Sequence, residues 1–169
     1  EASKAFSKEL MKKYHIPTAK YETFTEMDKA LAYIDEQGAP IVVKADGLAL
    51  GKGVVVASTV DEAKTAVREM MEDQKFGQSG STVVIEECMV GPEVTVLAFC
   101  DGEHLVPMLS SQDHKRAYDG NLGPNTGGMG AFCPSPKYTP EIAKECMEKI
   151  FLPTVAALKA EGRPFKGVI

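Results

Sequence analysis

Arginine is scarce in this chain: Arg68, Arg116 and Arg163 are the only three. Basic residues number 19 against 24 acidic ones, a net charge of −5. Without a basic surplus there is nothing to neutralise a phosphate backbone, so a general nucleic-acid binder is excluded. Cysteine is sparse too. Cys88, Cys100, Cys133 and Cys146 form no C-x-x-C pair, and no two histidines stand at ligand spacing, which argues against a cysteine-bound metal. Four thiols beside 8 methionines suit a reducing cytoplasm better than a disulfide scaffold. No apolar run approaches the ~20 residues of a membrane span. A signal-peptide pattern, a repeat and a low-complexity tract are also missing. Glu1 stands where an initiator Met would, which is compatible with a fragment. What remains is 44% hydrophobic and 25% charged, the balance of an ordinary globular protein. At 169 residues it can build one sizeable core or two small lobes.

The densest information lies in Ile41–Val56, where two β-branched runs flank a loop holding Gly47, Gly51 and Gly53 with Lys44 and Lys52. Residues stiff at χ1 favour a sheet. Glycines let backbone N–H groups approach an anion with no Cβ in the way. A Walker loop needs four residues between its first Gly and the Gly-Lys pair, then Ser or Thr; here there are three, then Gly53. The dinucleotide fingerprint fails because three valines follow Gly53. A strand after the loop also leaves no helix N-terminus for an anion. The reading left is a glycine-rich flap between antiparallel strands, laid over nucleotide phosphates. A plain glycine-rich hairpin is the bland alternative.

Ser3 to Tyr14 reads as a helix stopped by Pro17, and Ala19–Phe24 as a short strand. Thr25-Glu26-Met27-Asp28 resembles a capping box opening a second helix, which Gly38 ends. Ser58–Asp61 cap a third helix, Gln74–Ser81 reads as an exposed loop, and Thr82–Glu87 as a strand. Glu93–Phe99 and His104–Leu109 form a hairpin about Asp101-Gly102. A long loop, Ser110 to about Pro136, precedes a helix opened by Thr139-Pro140, with Ile142, Cys146 and Ile150 on one face and a bend at Pro153. Lys166–Ile169 begins another strand. The methionines at Met70, Met71 and Met147 are core filling. His15 and His104 are read as structural.

Two further stretches carry polar chemistry. In Val84-Ile85-Glu86-Glu87-Cys88-Met89-Val90-Gly91-Pro92-Glu93 carboxylates close a strand and follow a Gly-Pro turn. Exposed glutamates at a strand end are the usual explanation. In Ser110-Ser111-Gln112-Asp113-His114-Lys115-Arg116 and Gly123-Pro124-Asn125-Thr126-Gly127-Gly128-Met129-Gly130 a basic trio precedes a glycine-rich loop. Long loops in compact domains are usually functional or disordered. Arg116 can give bidentate bonds to phosphate, so the trio is a candidate anion site; a solvated charged turn is the alternative.

Taken in order, these motifs resemble the ATP-grasp domain of the phosphoribosylamine–glycine ligase family, over essentially the whole chain. The resemblance implies an α+β fold: a small α/β lobe with a glycine-rich flap, and part of a larger, mainly antiparallel lobe. Its boundaries are 1–17 for a leading helix, 18–89 for the small lobe and 90–169 for an incomplete second lobe. It gives ATP to Lys4, Lys44, Gly47, Gly51, Lys52, Gly53, Glu86, Cys88, Met89 and Glu93. Lys44 reaches the α- and β-phosphates and Glu86 accepts from the adenine amino group. Cys88 and Met89 meet the ring edge through their backbone, with Cys88 as pocket wall rather than nucleophile, and Glu93 takes the ribose hydroxyls. The apolar Val, Ile and Met of that motif would surround the purine. Asp113, Lys115, Arg116, Asn125, Gly127 and Gly128 fall on the side of glycine and 5-phosphoribosylamine, and Lys44 and Arg116 take the catalytic roles. Magnesium is implied with ATP, its ligands expected beyond Ile169, so the isolated chain is expected to show no turnover. Flanking domains of a parent chain are the expected partners, with no nucleic acid and no membrane. The alternatives are another ATP-grasp ligase and a nucleotide-binding module without turnover.

Overall fold

The computed structural model describes residues 2–47, 53–72, 80–120 and 122–169. Gly51 and Lys52 of the flap, and all but the last two residues of the Gln74–Ser81 loop, lie outside them. Two compact units divide the chain, Glu1–Val90 and Gly91–Ile169.

The first unit runs α1 (Lys4–Lys13), β1 (Tyr21–Phe24), α2 (Met27–Gln37), β2 (Ile41–Ala45), β3 (Val54–Ala57), α3 (Val60–Met71) and β4 (Val83–Glu87). Its sheet is antiparallel throughout, in the order β1-β4-β2-β3. Successive side chains on a strand point to opposite faces, and this alternation sorts the residues. Ile41, Val43 and Ala45 of β2 join Val83 and Ile85 of β4, Ala30 and Ile34 of α2, and Ala63, Val67 and Met70 of α3 in one buried cluster. The intervening residues, Val42, Lys44, Val84 and Glu86, take the other face, where α1 packs on β4.

The helix starts of this unit follow their sequence signals in two cases and depart in one. Ser3 caps α1, its Oγ accepting from the Phe6 N–H at 3.0 Å. Thr59 and Glu62 make a reciprocal capping box on α3. The box expected at Thr25 does not form. The cap of α2 is Glu26, with no side-chain capping bond, and its carboxylate goes to Lys29 at 2.6 Å. Thr25 therefore sits one residue too early for the box.

In the second unit β5 (Ala98–Cys100) lies between β6 (Leu105–Pro107) and β11 (Gly167–Val168), all antiparallel. The hairpin about Asp101-Gly102 is present with shorter strands than the sequence suggests. The segment read as one long loop is instead folded into two small ladders: β7 (Gln112–Asp113) with β10 (Ala131–Phe132), and β8 (Arg116–Tyr118) with β9 (Leu122–Asn125). Strands of two to four residues carry no readable alternation. The last helical stretch is α4 (Pro140–Cys146), a π-type turn (Met147–Phe151) and α5 (Leu152–Ala160). Pro153 explains the break: it has no N–H to donate, and the Leu152 N–H reaches back five residues to the Met147 carbonyl. Ile142, Cys146 and Ile150 share a face as expected, lining a cavity of about 420 Å³ with Val94, Val96 and Phe151.

Candidate functional site

On the sheet face of the first unit opposite the core cluster, Lys44 and Glu86 come together by register. Lys44 pairs with Val84, and Glu86 with Val42, so the two are diagonal neighbours on adjacent strands. The Lys44 ammonium lies 3.0 Å from Glu86 Oε1. From α1, Lys8 meets the other oxygen, Oε2, at 3.3 Å. Glu86 is only 6% exposed, whereas the Lys44 side chain is 27% exposed and open to a ligand. Beside Lys44 on the same face, Val54 and Val56 of β3 are 44% and 57% exposed, an apolar strip next to a cation.

The flap is tied to α1 at its root. Lys4 donates from Nζ to the carbonyls of Gly47 (3.0 Å) and Asp46 (3.3 Å). The Asp46 carboxylate accepts from the Ala5 N–H at 2.6 Å and from the Ser3 hydroxyl at 3.0 Å. The first turn of α1 has no acidic residue of its own, and Asp46 supplies negative charge where the helix dipole favours it. Across the opening, the Gly53 carbonyl accepts from the Ala45 N–H at 2.8 Å.

Cys88 is half-buried and Met89 is 72% exposed just after β4. Val84 and Ile85 are fully buried; Ile85 lies in the helix-packed core, because the alternation of β4 turns it away from Glu86, whereas Val84 shares the Glu86 face. Val54 and Val56 add exposed apolar surface on that face.

In the second unit Asp113, Lys115 and Glu93 converge. Lys115 Nζ lies 2.8 Å from Asp113 and 3.5 Å from Glu93. The hydrogen bond from Lys115 holds the Asp113 carboxyl below its usual range, and the same bond raises the Lys115 ammonium above its own. The Asn125–Gly130 loop folds onto this group: the Thr126 N–H and hydroxyl both donate to the Lys115 carbonyl, at 2.6 and 2.8 Å. Gly128 has φ +110°, a backbone conformation that calls for glycine, although a Cβ there would meet Asp113 Oδ2 only at an ordinary contact distance of 3.5 Å. Gly127 is open to solvent, and Asn125 enters through its backbone, paired with Arg116. The basic trio does not share a partner. His114 packs on Phe132 with ring centroids 5.2 Å apart, Lys115 takes the two carboxylates, and Arg116 donates to the Gly123 carbonyl at 2.6 Å.

Sequence reasoning missed Lys8, Asp46, Val54 and Val56. The signals were present but weak: Lys4 and Lys8 are four apart on one helix face, and Asp46 sits between Lys44 and Gly47. Among the described residues no group of three or more His, Cys, Asp or Glu side chains fits a metal ion.

Comparison with known proteins identifies a family. The family model for the phosphoribosylglycinamide synthetase ATP-grasp (A) domain matches residues 2–169. The phosphoribosylamine–glycine ligase of Streptococcus pyogenes serotype M1 is 56% identical over 169 residues, all of this chain and 40% of the relative. That of Vibrio vulnificus (strain YJ016) is 53% identical over the same span, 39% of its length. The crystal structure of phosphoribosylamine–glycine ligase from Thermotoga maritima superposes with a TM-score of 0.85 at 32% identity, covering 99% of this chain and 42% of that one. The chain thus spans about two fifths of the length of these relatives.

Proposed function

We propose that this chain, which belongs to the phosphoribosylglycinamide synthetase ATP-grasp family, binds ATP on the Lys44–Glu86 face of its first unit. Lys44, Lys4, the N–H groups of the Gly47–Gly53 flap and Lys52 hold the phosphates. The Val54–Val56 strip receives the purine. Glu86 Oε1, the oxygen on the Lys44 side, accepts from the adenine amino group, and Cys88 and Met89 pair with the ring edge through their backbone. The observation that carries this reading is a half-exposed lysine beside an apolar strip and a buried carboxylate, on a sheet face opposite the core. Residues 1–17 and 18–89 then serve as leading helix and small lobe, and 90–169 as part of the second lobe.

The reaction is the ATP-dependent joining of glycine to 5-phosphoribosylamine in purine biosynthesis. The glycine carboxylate attacks the γ-phosphorus, releasing ADP and forming glycyl phosphate. The amine of 5-phosphoribosylamine then attacks the acyl carbon, phosphate leaves, and the amine loses a proton to give glycinamide ribonucleotide. A carboxylate is a poor acyl donor, and phosphorylation supplies its leaving group. The protein contributes alignment and charge neutralisation. Asp113, Lys115, Arg116 and the backbone of Asn125, Gly127 and Gly128 serve the acceptor side, with Arg116 on an anionic group. Magnesium, when bound with ATP, would screen its phosphates; none of the described residues is assigned to it.

Calorimetric titration with ATP tests the first step. Lys44→Met should weaken binding at least tenfold with the unfolding temperature unchanged; equal affinity would remove the phosphate assignment. A chimera carrying this sequence in place of the matching residues of the Streptococcus pyogenes relative tests the second. It should turn ATP over to ADP repeatedly only when glycine and 5-phosphoribosylamine are both present.

A further inference from the structure

Lys8 and Glu86 are the two buried charged side chains among the described residues, each 6% exposed, and they touch. The three protons of the Lys8 ammonium have three acceptors: Thr18 Oγ1 at 2.7 Å, the Ala19 carbonyl at 3.3 Å and Glu86 Oε2 at 3.3 Å. Lys44, on the other oxygen, has solvent on one side. One carboxylate therefore sits between two cations of unequal freedom, one locked and one able to leave. A buried charge that loses its only partner is costly, so a second, permanent partner decides whether Lys44 can go.

We propose that Lys8 is a positioning residue for nucleotide binding: a fixed countercharge that holds Glu86 in place while Lys44 passes from Glu86 to a phosphate. This rests on the nucleotide reading above. Among the described residues, the groups facing Glu86 are Lys8 from α1, Lys44 from β2 and Tyr21, its register partner on β1. Burial, reinforced by the hydrogen bond to Glu9, holds the Tyr21 phenol protonated far above its ordinary range, so it stays neutral. Lys8 and Lys12 lie 5.2 and 5.6 Å from the centre of its ring. Glu87, next on β4, turns away to accept from the Lys20 N–H at 2.8 Å. If Lys8 is removed, departure of Lys44 leaves a buried carboxylate with the neutral adenine amino donor but no countercharge, and nucleotide binding must then bring a proton with it.

The test is ATP calorimetry on wild type, Lys8→Met, Lys8→Arg and Lys44→Met, between pH 6 and 8 in buffers of different ionisation heat. Comparison with wild type cancels the titration of the nucleotide itself. Lys8→Met should bind at least tenfold more weakly at pH 8, recover toward pH 6, and take up about one proton more per ATP than wild type. Lys8→Arg should restore the wild-type proton count, which a merely structural lysine would not predict. Should Lys8→Met fail to fold, nitrogen-15 spectra of the wild-type lysine side chains decide: ATP should move the Lys44 signal and leave Lys8 unmoved. A Lys8→Met variant with wild-type affinity and proton count, or a Lys8 signal that shifts with Lys44, overturns the proposal. When Lys44→Met is weakened and Lys8→Met is not, only this inference falls. When Lys44→Met binds ATP as well as wild type, or wild type binds none, the nucleotide reading falls and takes this one with it.

Discussion

Thr23 shows how local the energetics can be. Its Oγ1 is buried without a hydrogen-bond partner among the described residues, on a strand that otherwise pairs cleanly with β4. A buried hydroxyl left unpaired costs folding free energy that an isosteric methyl does not. Thr23→Val should therefore stabilise the fold by about 1 kcal/mol in chemical denaturation; a loss of stability would mean that the hydroxyl has a partner. At this scale the sequence showed the chemistry of the site but not its pairings. Lys44 and Glu86 both stood out, one in a flap and one at a strand end. Their contact depends on a register between strands about 40 residues apart, which neither motif encodes. Lys8 looked like any helix lysine, because nothing in its neighbours reveals the carboxylate beneath it.

Elements are governed by their ends. On α3 the Thr59 hydroxyl accepts from the Glu62 N–H while the Glu62 carboxylate reaches back to the N–H groups of Thr59 and Ser58. Thr59→Ala should cost about 1 kcal/mol in thermal or denaturant unfolding. In the β5–β6 hairpin the Asp101 carboxylate accepts from the N–H groups of Glu103 and His104 at 2.8 and 2.7 Å and meets the His104 ring at 3.0 Å. Those two backbone N–H groups, more than the imidazole, pull Asp101 far below the carboxylate range. The bond to Asp101 raises His104 above its ordinary 6.5. The depressed acid contributes its stability above pH 3.8 and loses it as pH falls through the folded value. The raised histidine contributes below pH 6.5 and loses it as pH rises through its own. The turn is thus tightest between those limits. Proton NMR should find His104 titrating above 6.5, and Asp101→Asn should return it toward that value. Helices and long strands were readable because their caps and periodicities are local. The β7–β10 and β8–β9 ladders were not, since two to four residues give no pattern and their order comes from bonds such as Thr126 to Lys115.

Over the whole molecule the apolar core is unevenly shared. The buried cluster between α2, α3 and the sheet lies entirely in the first unit. In the second unit the buried apolar residues are few, and Phe99, Val106 and Val168 stand exposed on neighbouring strands. Local stability follows buried contact, so hydrogen exchange should be slowest in β2 and β4 and fastest in the β7–β10 and β8–β9 ladders. Equal protection in both would show that the small ladders are supported by more than their own bonds. The share of core held by each unit was not legible in the sequence, because burial is a property of packing partners. The two-sided sheet of the first unit has a last consequence, for how this protein tolerates change. On the proposed nucleotide reading, Lys44 and Glu86 would answer to ligand capture, and their core-facing neighbours on β2 and β4 to the yield of folded protein. A saturation mutagenesis map of Ile41–Ala45 and Val83–Glu87 would alternate like a two-colour barcode, with Lys44 and Glu86 in the same colour.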